Sequence, residues 1–480
     1  MSVACQNLTP GVDFPGVFCY NGSALRAAQR AITFREGLSV KEINLTRGSI
    51  FQKLIRFSLP MIAGNLLQQV YNLVDTLIVG RCLGANALAA VGSAYTLMVF
   101  ITSILIGLCM GSGAFFSEDY GAGDTPRLRE DVRLSFLFIA AVAALLCALI
   151  YPGMPLILRL LQTPPELLAL TRAYVQVVFV GIPFVFLYNF FAYLLRAMGN
   201  PVAPLAFLAL SSVANIVLDL ALVLGLNMGV SGAALATVLA QGLSCVGLML
   251  YALFRLPMLR EAARRVPVSA GRLREIVVCD VATGIQQSVM NFGILMIQGL
   301  VNSFGASVMA SFAAAVKIDT FAYMPAQEFG NAYSLFVSQN HGAGEKERIR
   351  AGTRVSFAAS AVFCAAVSVL ICCFAERLMG LFVDADEAAI IAEGARYLRI
   401  EGAMYVGIGV LFLWYGYFRG IGRPQISLML TVVSLGTRVA LSYALAPRTA
   451  WGVLVIWWAI PIGWVLADVT GLALYRRERA

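Results

Sequence analysis

From Leu54 to the C-terminus, runs of twenty or more mostly apolar residues alternate with short polar loops. The runs predict twelve spans. Six lie near 57–79, 87–114, 133–157, 168–194, 203–225 and 231–254, and six near 275–303, 308–337, 355–380, 396–418, 425–446 and 452–475. About 20 apolar residues let a helix cross the ~30 Å hydrocarbon core, whereas a barrel strand would show about 10 residues of alternating polarity. The expected fold is therefore all-α and integral to a membrane. Pro60, Pro183, Pro325 and Pro461 fall inside spans, where each removes a backbone hydrogen bond and predicts a bend. Residues 1–49 are polar, hold no apolar run of signal-peptide length, and read as a mobile tail.

Composition agrees with the pattern. Of 480 residues, 60% are hydrophobic and 13% charged, against about 25% charged in ordinary soluble domains. The net charge of +9 raises nucleic acid as a partner, but its placement argues otherwise. Of the 35 Lys and Arg residues, 26 fall on the side of the tail and seven on the other. That asymmetry puts both termini in the cytoplasm and accounts for the charge without nucleic acid. Ten cysteines form no CxxC and the one histidine, His341, lies in a Gly-rich loop. This argues against a His-based catalytic triad or zinc site, and no enzyme is expected.

The chain repeats itself. Arg133-Leu134-Ser135-Phe136 returns as Arg354-Val355-Ser356-Phe357, Gly121-Ala122-Gly123-Asp124 as Gly342-Ala343-Gly344-Glu345, and Gly84-Ala85 as Gly305-Ala306, while Arg196-x-x-Gly199-x-Pro201 returns as Arg419-x-x-Gly422-x-Pro424. Each half holds six spans, an even number, so the copies share one orientation and a pseudo-two-fold axis along the membrane normal. The expected organisation is a tail (1–49), an N-terminal lobe (50–254), a cytoplasmic linker (255–273) and a C-terminal lobe (274–480), the plan of a secondary transporter.

A charged side chain at mid-span costs roughly 2.5–3.5 kcal/mol on insertion scales. Two acids lie in spans of the first half, Asp75 in Asn72-Leu73-Val74-Asp75-Thr76 and Asp219 in Asn215-Ile216-Val217-Leu218-Asp219. At 1.5 Å per residue, Asp75 is about 27 Å along span one and Asp219 about 24 Å along span five, both in the outer half of the bilayer. Asn215 and Asp219, four residues apart, share a helical face, and Thr237 lies about 9 Å into span six, at a similar level. These four residues form an oxygen-rich set suited to a hard monovalent cation, or to a proton on a buried carboxyl. If the acids only joined helices of a shared scaffold, the second half should repeat them. It places Met296, Arg438, Ser442 and Ile460 opposite Asp75, Asn215, Asp219 and Thr237 instead.

Span eight carries Lys317, Asp319 and Glu328. The first two are roughly 200° apart around a helix and cannot easily pair with each other. With Gln68, Tyr71, Tyr188 and Asn189 they are candidates to line a substrate cleft, the aromatics by stacking and cation–π attraction.

Six plus six spans, the Asn72–Thr76 run followed by Val79-Gly80-Arg81, the duplicated Gly-Ala-Gly loop, Arg196-Ala197-Met198-Gly199-Asn200-Pro201, and Asn215-x-x-x-Asp219 followed by Gly229-Val230-Ser231-Gly232-Ala233-Ala234 together resemble the multidrug and toxic compound extrusion (MATE) family over residues 50–475. The acidic pair looks like its DinF-like branch. The resemblance implies that Asp75, Asn215, Asp219 and Thr237 match positions binding H⁺ or Na⁺. It implies export of amphipathic or cationic small molecules by antiport across the plasma membrane of a prokaryote, by a monomer without cofactor beyond the coupling ion. Where NorM-like members carry further acids, span seven has Gln286 and Gln287. Two other carriers share the plan. A lipid-linked oligosaccharide flippase of the same superfamily would show an arginine-lined cleft. A major-facilitator-type metabolite carrier would show an Asp-Arg-x-Gly-Arg-like loop where this chain has Ser117 to Gly123.

Overall fold

The computed structural model describes residues 42–160, 166–262, 269–384 and 386–479. The expected tail falls largely outside them, as does 263–268 of the linker. The first half folds as α1 (Ile50–Leu83), α2 (Ala85–Ala122), α3 (Thr125–Leu160), α4 (Leu168–Val178), α5 (Ile182–Ala197), α6 (Val202–Asp219) and α7 (Gly229–Arg255), followed by a short α8 (Pro257–Ala262). The second half folds as α9 (Ala270–Asn302), α10 (Ala306–Gly342), α11 (Lys346–Met379), α12 (Ala388–Gly402), α13 (Tyr405–Gly420), α14 (Pro424–Leu445) and α15 (Val453–Arg479). With α4–α5 and α12–α13 counted as interrupted spans, twelve crossings stand where the apolar runs predict them.

Eight of the spans are by themselves long and apolar enough to cross a membrane, and α12–α13, bent by 51°, makes a ninth. The other three, α1, α9 and α10, are 34, 33 and 37 residues long but more polar, and all three pack across the contact between the two halves, where α2 joins them. Asn65 of α1 donates to Glu328 of α10 at 2.8 Å, and Ser112 of α2 donates to Asp280 of α9 at 2.6 Å. Protein rather than lipid surrounds these groups, as buried polar atoms in a bilayer require.

The repeat is visible in the backbone. Gly84, Gly123, Gly199 and Gly229 all have positive φ, and so do their counterparts Gly305, Gly344, Gly422 and Gly452. Only glycine adopts this region without steric cost, which explains why the duplicated motifs are built around it. Where the halves touch, the contact is reciprocal. A Cβ on Gly121 would collide with the Gln339 carbonyl of the other lobe, and one on Gly342 with the carbonyl of Glu118.

Two apolar cores form, one per lobe, and α1 contributes to both: Val79 to the N-terminal core, but Leu54, Phe57 and Met61 to the C-terminal one. Pro60 lies inside α1, within the stretch from Leu54 to Met61 that packs into the C-terminal core. The expectation of a mobile tail does not extend to residues 42–49. Ile43 and Leu45 are buried in the C-terminal core, with Ile43 N bonded to the Gly199 carbonyl at 2.8 Å and Leu45 N to Gln339 Oε1 at 3.1 Å. Gln339 Nε2 in turn donates to the Ala197 carbonyl at 2.7 Å. This short strap joins both lobes, because its apolar side chains have an apolar seat there.

Candidate functional site

The C-terminal half of α1 carries Asp75, α6 carries Asn215 and Asp219, and α7 carries Thr237; α1 packs against both of the others. The Asp75 and Asp219 carboxyls lie within direct interaction range of each other. Asp219 has no exposed surface. Neither of its oxygens, nor Oδ1 of Asp75, meets hydrogen-bond geometry with any partner. Asn215 Nδ2 approaches Thr237 Oγ1 at 3.5 Å, and that hydroxyl donates to the Ala233 carbonyl at 3.1 Å, leaving Asn215 Oδ1 unpartnered as well. Four buried oxygens on these neighbouring helices thus make no hydrogen bond among the described residues. Leaving such groups unsatisfied is costly, and two carboxylates together favour a shared proton or a cation.

Tyr71 of α1 and Tyr174 of α4 stand beside the acids. Directly after Asp219 the backbone widens into a π-helical segment, Leu220–Gly225, so that Leu226 N reaches the Ala221 carbonyl at 2.9 Å. Such segments recur at functional sites. Here the change of pitch begins at the residue that follows the acid.

A family model described as MatE matches residues 60–221 and again 282–444. The chain belongs to the MatE family. The two matches, one in each lobe, are the internal repeat seen by an independent route. Among relatives of this MatE protein, "Probable multidrug resistance protein YpnP" of Bacillus subtilis is 30% identical over 401 residues, covering 82% of this chain and 88% of that one. The "FAD transporter" of Shewanella oneidensis is 24% identical over 82% of this chain and 87% of its own length. A solved outward-facing conformation of a multidrug resistance MATE family transporter superposes with a TM-score of 0.84 at 25% identity, over 92% of this chain and 98% of that one. The MatE protein is thus a multi-pass membrane protein of a multidrug efflux transporter family.

Its other candidate residues divide. Glu328 accepts hydrogen bonds from Asn65 at 2.8 Å and Asn331 at 3.2 Å at the junction of the lobes. From there Asn65, Gln68, Tyr71 and Asp75 follow one another every three or four residues along one face of α1, a polar stripe ending at the acid pair. Tyr188 donates to the Pro204 carbonyl at 2.9 Å, and Asn189 to the Val185 carbonyl at 2.8 Å, so both are engaged within the N-terminal lobe. Lys317 is exposed. Asp319 does not join it in a cleft between the lobes; it turns into the C-terminal lobe, where Tyr405 of α13 donates to it at 2.5 Å.

Asp319, Glu401 and Arg438 line one cavity of about 90 Å³ inside that lobe, with Tyr323 and Tyr397. Glu401 and Tyr405 were not picked out from the sequence, and neither was Tyr174. For Tyr174 a signal existed. At the 223-residue offset its counterpart is Tyr397, so each lobe holds a tyrosine at the same place beside its buried acids.

Proposed function

We propose that this MatE protein is a cation-coupled antiporter that expels amphipathic organic compounds from the cytoplasm, with Asp75 and Asp219 as the site that binds the coupling H⁺ or Na⁺. The observation that carries the reading is the pair of neighbouring carboxyls in α1 and α6, of which Asp75 Oδ1 and both oxygens of Asp219 are buried without a hydrogen-bond partner among the described residues. Asn215 Oδ1 and Thr237 Oγ1 complete an oxygen set of the kind that suits a hard monovalent ion. The substrate class follows the names of the multidrug resistance relatives.

With both termini in the cytoplasm, as the basic residues favour, the closed contacts at Gly121, Gly342 and the strap seal the cytoplasmic side, and this conformation faces outward. An ion arriving from outside binds between α1 and α6 and changes how α1 packs. Because α1 belongs to both cores, that change is felt in the other lobe, and the lobes rock to expose the site to the cytoplasm.

The test is substrate efflux from proteoliposomes with H⁺ and Na⁺ gradients imposed separately. Wild-type protein should respond to one of them. Asp75→Asn and Asp219→Asn should each lose at least about 10-fold in gradient-driven efflux, a factor that 1.4 kcal/mol of lost coupling suffices to give. Undiminished transport by both variants refutes the coupling role.

A further inference from the structure

At the cytoplasmic end of the C-terminal lobe, five helix ends come together: the ends of α10, α13 and α15 and the beginnings of α11 and α14. Between them lies a groove of about 810 Å³, within the ~300–1,000 Å³ typical of ligand sites. Its lining is of two kinds. Lys346, Arg350, Arg423 and Arg477 supply four fixed positive charges, with His341 beside them and one carboxylate, Glu478, among them. Ile349, Ile421, Ile426 and Leu474 supply an apolar wall.

The charges are not evenly neutralised. Arg423 is paired with Glu478 at 2.6 Å, and Arg350 with Glu347 at 2.5 Å. Lys346 and Arg477 have no acid within ion-pair distance among the described residues. Basic residues are expected on the cytoplasmic side of any such protein, but an even scatter would satisfy that expectation. Here four of them converge at the ends of the spanning helices on one concavity that also has an apolar wall.

On the orientation proposed above, we propose that this groove binds the headgroup of an anionic phospholipid of the cytoplasmic leaflet, its phosphate held by Lys346 and Arg477 and its glycerol and upper acyl chain lying on the isoleucine and leucine wall. Basic pockets between helices on this side of a membrane recognise such headgroups. A free phosphate would use the cations and leave the apolar wall without a role, so the amphipathic lining favours the lipid.

The experiment uses the full-length protein in detergent, titrated with phosphatidylglycerol, phosphatidylcholine or inorganic phosphate and read by native mass spectrometry and by melting temperature. Phosphatidylglycerol should bind and raise the melting temperature, while phosphatidylcholine and inorganic phosphate should not. In Lys346→Gln/Arg477→Gln its affinity should fall by about 30-fold, the summed effect of two cations near an anionic surface. A control, Arg56→Gln/Arg274→Gln, removes two exposed basic residues elsewhere and should keep wild-type affinity. Equal loss in both double variants would reduce the effect to general surface charge and overturn the proposal. So would unchanged affinity in Lys346→Gln/Arg477→Gln, or stabilisation by inorganic phosphate equal to that by the lipid. Substrate efflux by Lys346→Gln/Arg477→Gln in phosphatidylcholine vesicles shows that the variant is folded, and keeps failure of the lipid site distinct from failure of the transport reading.

Discussion

Asp219 has no exposed surface, and neither of its oxygens makes a hydrogen bond among the described residues; on the coupling role proposed above, a bound ion supplies what the protein withholds. A residue of this kind opposes folding in the absence of its ion, since an unsatisfied buried polar group costs about 1–3 kcal/mol and a charged one more. Asp219→Asn removes the charge at nearly constant volume. The variant should therefore melt no lower than wild type while losing ion-driven efflux, the usual opposition of stability and activity at a functional site; a fall in melting temperature of several degrees would instead mark Asp219 as a structural residue. The four oxygen-bearing residues were legible in the sequence because each is a polar exception in an apolar run, and a helical rise of 1.5 Å per residue sets their depth. Tyr174 and Tyr405 were not, because tyrosine is common in spans and does not stand out by type. Glu401 lies five residues into its expected span, where an acid reads as interfacial. It becomes internal because α12 stops at Gly402, and the chain turns before α13 begins at Tyr405.

That turn is one of a pair. In the first half α4 gives way to a single 3₁₀ turn at Phe179–Gly181 before α5, and the 223-residue offset carries this place onto 402–404. Pro183 marks the interruption in one copy, whereas Val406 stands at its counterpart, so a proline search finds only half of the pair. The π segment after Asp219 is similarly hidden, since six residues are too few for a change of helical period to show in a hydrophobic pattern. The strap at 43–48 escaped for another reason: two apolar residues in a polar tail look incidental until the seat that receives them is known. Arg348 Nε and Asn340 Nδ2 donate to the Leu45 carbonyl at 3.1 and 3.3 Å, while Ile43 holds Gly199 of the other lobe. Since a buried Leu→Ala change costs about 2–5 kcal/mol, Leu45→Ala should raise the cytoplasm-open population at least about 10-fold. Cys279, buried against Gly111 where α9 meets α2, reports this: in a background lacking the other cysteines, maleimide labelling of Cys279 from the cytoplasmic side should quicken correspondingly. An unchanged rate would mean that the strap does not hold the lobes together.

At the scale of the whole molecule, closure depends on groups that lie at the contact of the two lobes. Arg272 of α9 reaches Asp119 of α2 at 3.6 Å and Asp131 of α3 at 2.5 Å, both acids buried. Removing one partner of such a set leaves a buried charge uncompensated, worth about 3–5 kcal/mol, so Arg272→Gln should destabilise the closed form strongly and lower the melting temperature of the purified protein. His341 adds a weaker, pH-dependent tie, its Nδ1 lying 3.2 Å from Glu118 of the opposite lobe. The hydrogen bond to Glu118 raises the imidazole above its ordinary value of 6.5, against the effects of partial burial and of the nearby Lys346. A cation stabilised in the closed form contributes fully below the ordinary histidine pKa, and its contribution is lost as pH rises through the raised one. Because the pair is partly exposed, its effect stays within about 1 kcal/mol, or roughly fivefold in population. Spin labels on cysteines introduced at Asp124 and Glu345, repeat counterparts exposed at the ends of α2 and α10, measure the separation of the lobes directly. The short-distance population should decline as pH is raised above 6.5 in the wild-type background and stay level in His341→Gln; a matching decline in the variant would assign the pH response to other groups.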